Sequence, residues 1–119
     1  MIGIVDYGIG NIRSLRNGLE ATEKASVTFV TTPEEIQECD KIILPGVGAF
    51  RPAIERIKER GLDRPIYDKA NHGHPVLGIC LGMQLLADFS LEDGKTEGLG
   101  LIPGIVRRLE CKSATLPHS

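Results

Sequence analysis

The apolar positions of this chain fall into short uninterrupted runs, separated by longer segments in which they recur at helical spacing. Ile2 to Val5, Lys41 to Leu44 and Pro75 to Ile79 are such runs, and Ser26 to Thr31 is β-branched and aromatic. Each reads as a strand. Between them, Asn11 to Lys24 carries Ile12, Leu15, Leu19 and Ala21 behind Asn11 as N-cap. Thr32-Pro33-Glu34-Glu35 opens a short helix with a cap, a proline at the first position and acids in the first turn. Ala53, Ile54, Ile57 and Leu62 predict a helix ending near Gly61, and Ile66 to Ala70 predicts another. Leu81 to Phe89 reads as a further helix. Leu99 to Leu109 reads as extended chain or a hairpin, broken by Pro103-Gly104.

Strands that are apolar throughout, rather than alternating, belong to sheets covered on both faces. Their alternation with helices predicts an α/β fold: an open, mostly parallel sheet with helices on both faces. At 119 residues the chain is one domain or the front part of one. Glu110 to Ser119 adds no predicted element, so the sheet is expected to be incomplete at the C-terminus, with an edge and an apolar face uncovered. Open sheets of this kind place their sites at the carboxyl ends of the strands.

Charge and composition narrow the function. Fourteen basic against sixteen acidic residues leave a formal charge of -2, which gives no electrostatic reason for a nucleic-acid or anionic-membrane partner. No apolar run is long enough to span a bilayer, and the strand-like N-terminus lacks a signal-peptide pattern. A cytoplasmic protein is expected. The cysteines at 39, 80 and 111 and the histidines at 72, 74 and 118 show no ligand spacing. Neither a metal nor another cofactor is predicted, and reduced thiols fit the cytosol. Tyr7-Gly8-Ile9-Gly10-Asn11-Ile12-Arg13 fails as a dinucleotide fingerprint, because Arg13 stands where a third glycine would let helix and strand pack closely.

The sharpest chemical feature is Gly78-Ile79-Cys80-Leu81-Gly82, between a predicted strand and a predicted helix. A nucleophile elbow needs this arrangement, since glycines on both sides let a strained turn lift the nucleophile out of the sheet. The helix that follows aims its amides at the sulfur, and the N–H of Leu81 is placed to donate to an oxyanion. A buried structural cysteine beside packing glycines is the alternative. Pro45-Gly46-Val47-Gly48-Ala49-Phe50 follows an earlier strand and could supply the other half of an oxyanion hole, although glycines after strands usually just make turns. Gln84, one helical turn after Cys80, could bind a small polar substrate or simply face solvent.

The run Gly-Ile-Cys-Leu-Gly-Met-Gln-Leu-Leu (78–86) resembles the nucleophile segment of class I, triad-type glutamine amidotransferases. Asp-Tyr-Gly-Ile-Gly-Asn (6–11), Leu-Pro-Gly-Val-Gly-Ala-Phe (44–50) and Gly-Leu-Gly-Leu-Ile-Pro-Gly (98–104) are similar to one branch, the glutaminase subunits of imidazole glycerol phosphate synthase in histidine biosynthesis. The resemblance implies that Cys80 attacks the side-chain amide of glutamine, forming a glutamyl thioester and releasing ammonia. Leu81 and the amides of Val47 and Gly48 would hold the oxyanion, with a rearrangement of the loop as one route to that geometry. Gly46, Gln84 and Glu92 would bind the glutamine. The ammonia would pass to a (βα)-barrel cyclase subunit, and Asn11 would lie near that interface or serve only as a helix cap.

The family completes its triad with a His-x-Glu motif beyond the cysteine, and none occurs here. His74 lies six residues before Cys80 in a strand, roughly 20 Å away at the wrong end of the sheet. These 119 residues are therefore expected not to turn over glutamine appreciably. Two alternatives stand beside the glutaminase: an inactive homologue acting as a binding module, and a related amidotransferase feeding another acceptor.

Overall fold

A computed structural model describes residues 1–8, 12–23 and 26–107. Four parallel strands form the main sheet: β1 (Ile2–Val5), β2 (Val27–Val30), β3 (Lys41–Leu44) and β4 (Val76–Gly78), in the order β2-β1-β3-β4. Ile4 stands beside Phe29 on one side and Ile43 on the other, and Leu44 stands beside Gly78. Helices connect the strands: α1 (Arg13–Glu23), α2 (Pro33–Gln37), and then α3 (Phe50–Glu59) with α4 (Asp63–Asn71).

Both faces of the sheet are covered, as apolar strands require. On one face Val5, Val30, Ile42 and Leu44 pack with Ile36 of α2, Phe50, Ile54 and Ile57 of α3 and Ile66 of α4. On the other, Ile4, Val27 and Ile43 pack with Leu15 of α1. Each fully buried Ile or Leu side chain contributes about 1.5–3 kcal/mol by leaving water. The α1 face is covered less completely, and Leu77 on β4 is 54% exposed.

The predicted strands agree with the observed ones to within two residues at each end. The helix expected over Leu81 to Phe89 does not. It stops as α5 (Leu81–Leu85), and the chain continues as strand β5 (Ala87–Ser90). The cause is tertiary pairing. The amides of Leu99, Leu101 and Gly100 donate to the carbonyls of Leu85, Leu86 and Ala87 at 2.8–3.0 Å, so those carbonyls serve the segment that leads into the next strand. Gly98 permits this approach, because a Cβ there would lie 2.4 Å from the Ala87 carbonyl oxygen.

A second, three-stranded sheet results. β5 pairs antiparallel with β6 (Thr96–Glu97) and parallel with β7 (Ile102–Val106), in the order β6-β5-β7. Among the described residues the segment after Leu99 thus contributes extended chain, β7, at the edge beside β5, and an edge accommodates Pro103.

Candidate active site

The site is built where β3 and β4 end side by side. Past β4, the amide of Ile79 still donates to the Leu44 carbonyl at 3.0 Å, extending the ladder by one step. The chain then reverses. Gly82 N–H donates to the Ile79 carbonyl at 2.9 Å, closing a four-residue turn with Cys80 at its second position. Cys80 has φ 54° and ψ -125°, the geometry of a type II′ turn, where that position favours glycine. It is the one non-glycine residue with positive φ among the described residues. Holding a side chain there costs on the order of 1–3 kcal/mol.

The strain is sustained by close packing. A Cβ on Gly82 would lie 1.8 Å from the Leu44 carbonyl oxygen, and one on Gly78 would lie 2.6 Å from the Met83 Cα. Both contacts are with backbone, so neither neighbour can swing aside. The elbow thus lies directly on the end of β3, and the Cys80 thiol is exposed. Cys39 behaves oppositely. It is buried, its thiol donates to the Glu35 carbonyl at 3.3 Å, and burial pushes its pKa up. Cys39 packs as a small apolar residue, while Cys111 lies outside the described residues.

The loop after β3 faces this elbow. Gly46 is buried, and a Cβ there would lie 2.8 Å from Gly82 N, 2.9 Å from Leu81 Cβ and 2.9 Å from the Tyr7 hydroxyl. The Leu81 amide donates to the Gly46 carbonyl at 3.2 Å. Loop and elbow are therefore in contact, and in this arrangement the Leu81 N–H serves the loop. Val47 is 63% exposed, and Gly48 has φ +90°. Gln84 is half-buried on α5. Glu92 lines a cavity of about 140 Å³ with Ala49, Phe50, Arg51, Ser90 and Thr96, which places it beside the far end of the glycine loop. Arg51 pairs with Asp93 at 3.4 Å and donates to its carbonyl, joining the start of α3 to the Glu92 turn.

His72 and His74 lie elsewhere. The His74 imidazole contacts the Asp40 carbonyl at 3.1 Å, and Asp40 is bonded to the N-terminal ammonium. That is the end of the sheet where the strands begin, opposite Cys80. His72 contacts the Asp68 carbonyl at 2.7 Å. Asn11 and His118 lie outside the described residues. Among the described residues no cluster of His, Cys, Asp or Glu could hold a metal ion, and no helix is long and apolar enough to cross a membrane.

Residues 6–115 match the family model of the CobB/CobQ-like glutamine amidotransferase domain. The chain belongs to the glutamine amidotransferase family. It is 49% identical over 118 residues to the imidazole glycerol phosphate synthase subunit HisH of Oceanobacillus iheyensis, covering 99% of this chain and 58% of that protein. With the subunit of the same name from Salinibacter ruber it shares 45% identity, covering 98% of this chain and 53% of that protein. The chain thus spans between half and three-fifths of the length of these curated relatives.

Among solved structures, a glutamine amidotransferase crystal structure matches with a TM-score of 0.76 at 20% identity, covering 90% of this chain and 56% of that one. A putative peptidase E from Listeria monocytogenes matches with a TM-score of 0.62 at 14% identity, covering 85% of this chain and 62% of that one. Both show the same α/β fold. For this amidotransferase chain, sequence reasoning had singled out both glycine segments and the cysteine. It gave no role to Tyr7 or Arg51, which the structure places at Pro45 and at the Glu92 turn.

Proposed function

We propose that the chain carries the nucleophile half of a glutaminase site and belongs to a glutaminase subunit of imidazole glycerol phosphate synthase. Such a subunit acts in the cytoplasm, within histidine biosynthesis. The observation that carries the reading is Cys80, exposed at the carboxyl end of the sheet and held at φ 54° in a turn that favours glycine. A merely structural cysteine gives no reason to maintain that strain.

In this reading the Cys80 sulfur attacks the side-chain amide carbon of glutamine. The carbonyl π bond opens onto oxygen, and the amides of Val47, Gly48 and Leu81 hold the resulting oxyanion. Collapse breaks the C–N bond, ammonia departs with a proton, and a thioester remains for water to hydrolyse to glutamate. Gly46 and Gln84 bind the amino acid beside the sulfur, and Glu92 binds it from the turn across the cavity. Ammonia then passes to a (βα)-barrel cyclase subunit, with Asn11 near that interface. No metal or other cofactor enters these steps.

The departing ammonia needs a proton donor, and the described histidines stand at the other end of the sheet. That observation favours a second reading for a polypeptide of these 119 residues alone, a binding module that holds glutamine without turning it over.

The test is labelling of Cys80 by a chloromethyl ketone analogue of glutamine. This reagent forms its S–C bond with loss of chloride and needs no proton donor. We expect saturable labelling, protection by glutamine and none in Cys80→Ala. Labelling that glutamine fails to slow would overturn the glutaminase reading. Ammonia release from glutamine with the cyclase present, lost in Cys80→Ala, would overturn the second reading.

A further inference from the structure

The Tyr7 hydroxyl is a buried polar group that the chemistry above does not use. Tyr7 stands two residues past the end of β1, is fully buried, and donates to the Pro45 carbonyl at 2.6 Å. Pro45 has no N–H, so its carbonyl is its one backbone handle. The next two glycines of the loop have no side chains to pack, and Gly48 lies in the left-handed region at φ +90°. Two consecutive carbonyls therefore hold the loop: that of Pro45 by Tyr7, and that of Gly46 by Leu81 N–H at 3.2 Å. When a substrate oxygen takes the Gly46 carbonyl's place on Leu81, the Tyr7 bond still pins the loop.

We propose that Tyr7 is a positioning residue for the acyl-transfer step, its hydroxyl fixing the 45–48 loop against the Cys80 elbow so that the loop amides meet the substrate's carbonyl oxygen in register with the sulfur. This inference rests on the glutaminase reading. Loop, elbow and hydroxyl meet at one point: a Gly46 Cβ would stand 2.9 Å from the Tyr7 hydroxyl, 2.9 Å from Leu81 Cβ and 2.8 Å from Gly82 N. Burial pushes the Tyr7 pKa up to about 12, against a smaller opposing pull from the Arg56 guanidinium, so the hydroxyl keeps its donor proton at neutral pH.

The experiment compares two reagents on the full chain and its Tyr7→Phe variant, which loses one oxygen and no ring atoms. Iodoacetamide needs only a reactive thiol, and the chloromethyl ketone analogue also needs an aligned carbonyl. The limiting rate of labelling by the analogue should fall between about tenfold and a hundredfold. Its half-saturating concentration and the iodoacetamide rate should stay within about twofold. Equal limiting rates for parent and variant overturn the Tyr7 assignment and leave the glutaminase reading standing. Labelling of neither protein by the analogue, with both modified by iodoacetamide, overturns both. Should Tyr7→Phe fail to fold, 3-fluorotyrosine at position 7 keeps the ring and acidifies the hydroxyl. The ratio of the two labelling rates should then fall as that hydroxyl ionises, and a ratio independent of pH overturns the assignment.

Discussion

The amide of Leu81 donates to the carbonyl of Gly46 at 3.2 Å, joining the residue after Cys80 to the loop that faces it. Through this bond the ladder between β3 and β4 reaches past both strands into the site. The elbow and the loop are consequently one packed unit, and a change in either is felt by the other.

The tightest contact in that unit is Gly82 against the Leu44 carbonyl. A Cβ at Gly82 would stand 1.8 Å from the oxygen, so Gly82→Ala must push the end of β3 and the elbow apart. Overpacking typically costs about 1–3 kcal/mol, and backbone neighbours place this case at or above the upper end. A urea unfolding midpoint unchanged in Gly82→Ala would contradict the packing described.

Strain at Cys80 makes a separate prediction. Glycine adopts φ 54°, ψ -125° freely, whereas alanine retains the Cβ that cysteine has. Cys80→Gly should therefore be more stable than Cys80→Ala by about 1 kcal/mol, although both lack the thiol. Thermal melts of the two variants side by side measure this, and equal melting temperatures would show an unstrained elbow.

The start of α2 tests a contribution remote from the site. Thr32 caps the helix and Glu35 returns a bond to it, so Thr32→Ala should cost about 1 kcal/mol. The Glu35 carboxylate is held below its ordinary value of 4.5, first by the Thr31 amide and then by the Thr31 and Thr32 hydroxyls and the Thr32 amide. A depressed carboxylate stabilises the fold above its unfolded pKa and loses that contribution as pH falls through its folded pKa. The stability difference between the parent and Glu35→Gln should shrink as pH drops below about 4.5. A gap unchanged by acid would count against the cap.

Tyr7 sets the opposite, alkaline limit. Its pKa rises from 10.0 unfolded to about 12 folded through burial. The folded protein keeps this proton where the unfolded chain has released it, so stability is unaffected below pH 10 and is lost as pH rises towards 12. The Arg56 guanidinium pulls the value down, by less than burial raises it, and Arg60 also faces Gly8. Urea midpoints followed from about pH 8 to about pH 12 should decline less steeply in Tyr7→Phe than in Tyr67→Phe, since Tyr67 is exposed. Identical declines would mean that the Tyr7 hydroxyl is not buried.

Hydrophobic patterning alone predicts the parallel sheet, because apolar runs such as Lys41 to Leu44 have no polar face to show to water. The sequence also determined the α2 start, because Thr32-Pro33-Glu34-Glu35 carries its cap within four residues. It located the elbow, because glycines flanking Cys80 have few other uses beside a strand end. Each of these signals is local. The remaining features depend on partners distant in sequence. The segment from Leu81 to Phe89 has helical periodicity throughout, yet its helix stops at Leu85 because the segment from Gly98 to Ile102, leading into β7, claims its carbonyls. Tyr7 is an ordinary aromatic residue until the fold brings it to Pro45, 38 residues on. The separation of His74 from Cys80 is visible in the strand between them, but the contact of Gly46 with Gly82 becomes visible only once β3 and β4 are neighbours, because pairing between strands is fixed by the packing of the whole sheet.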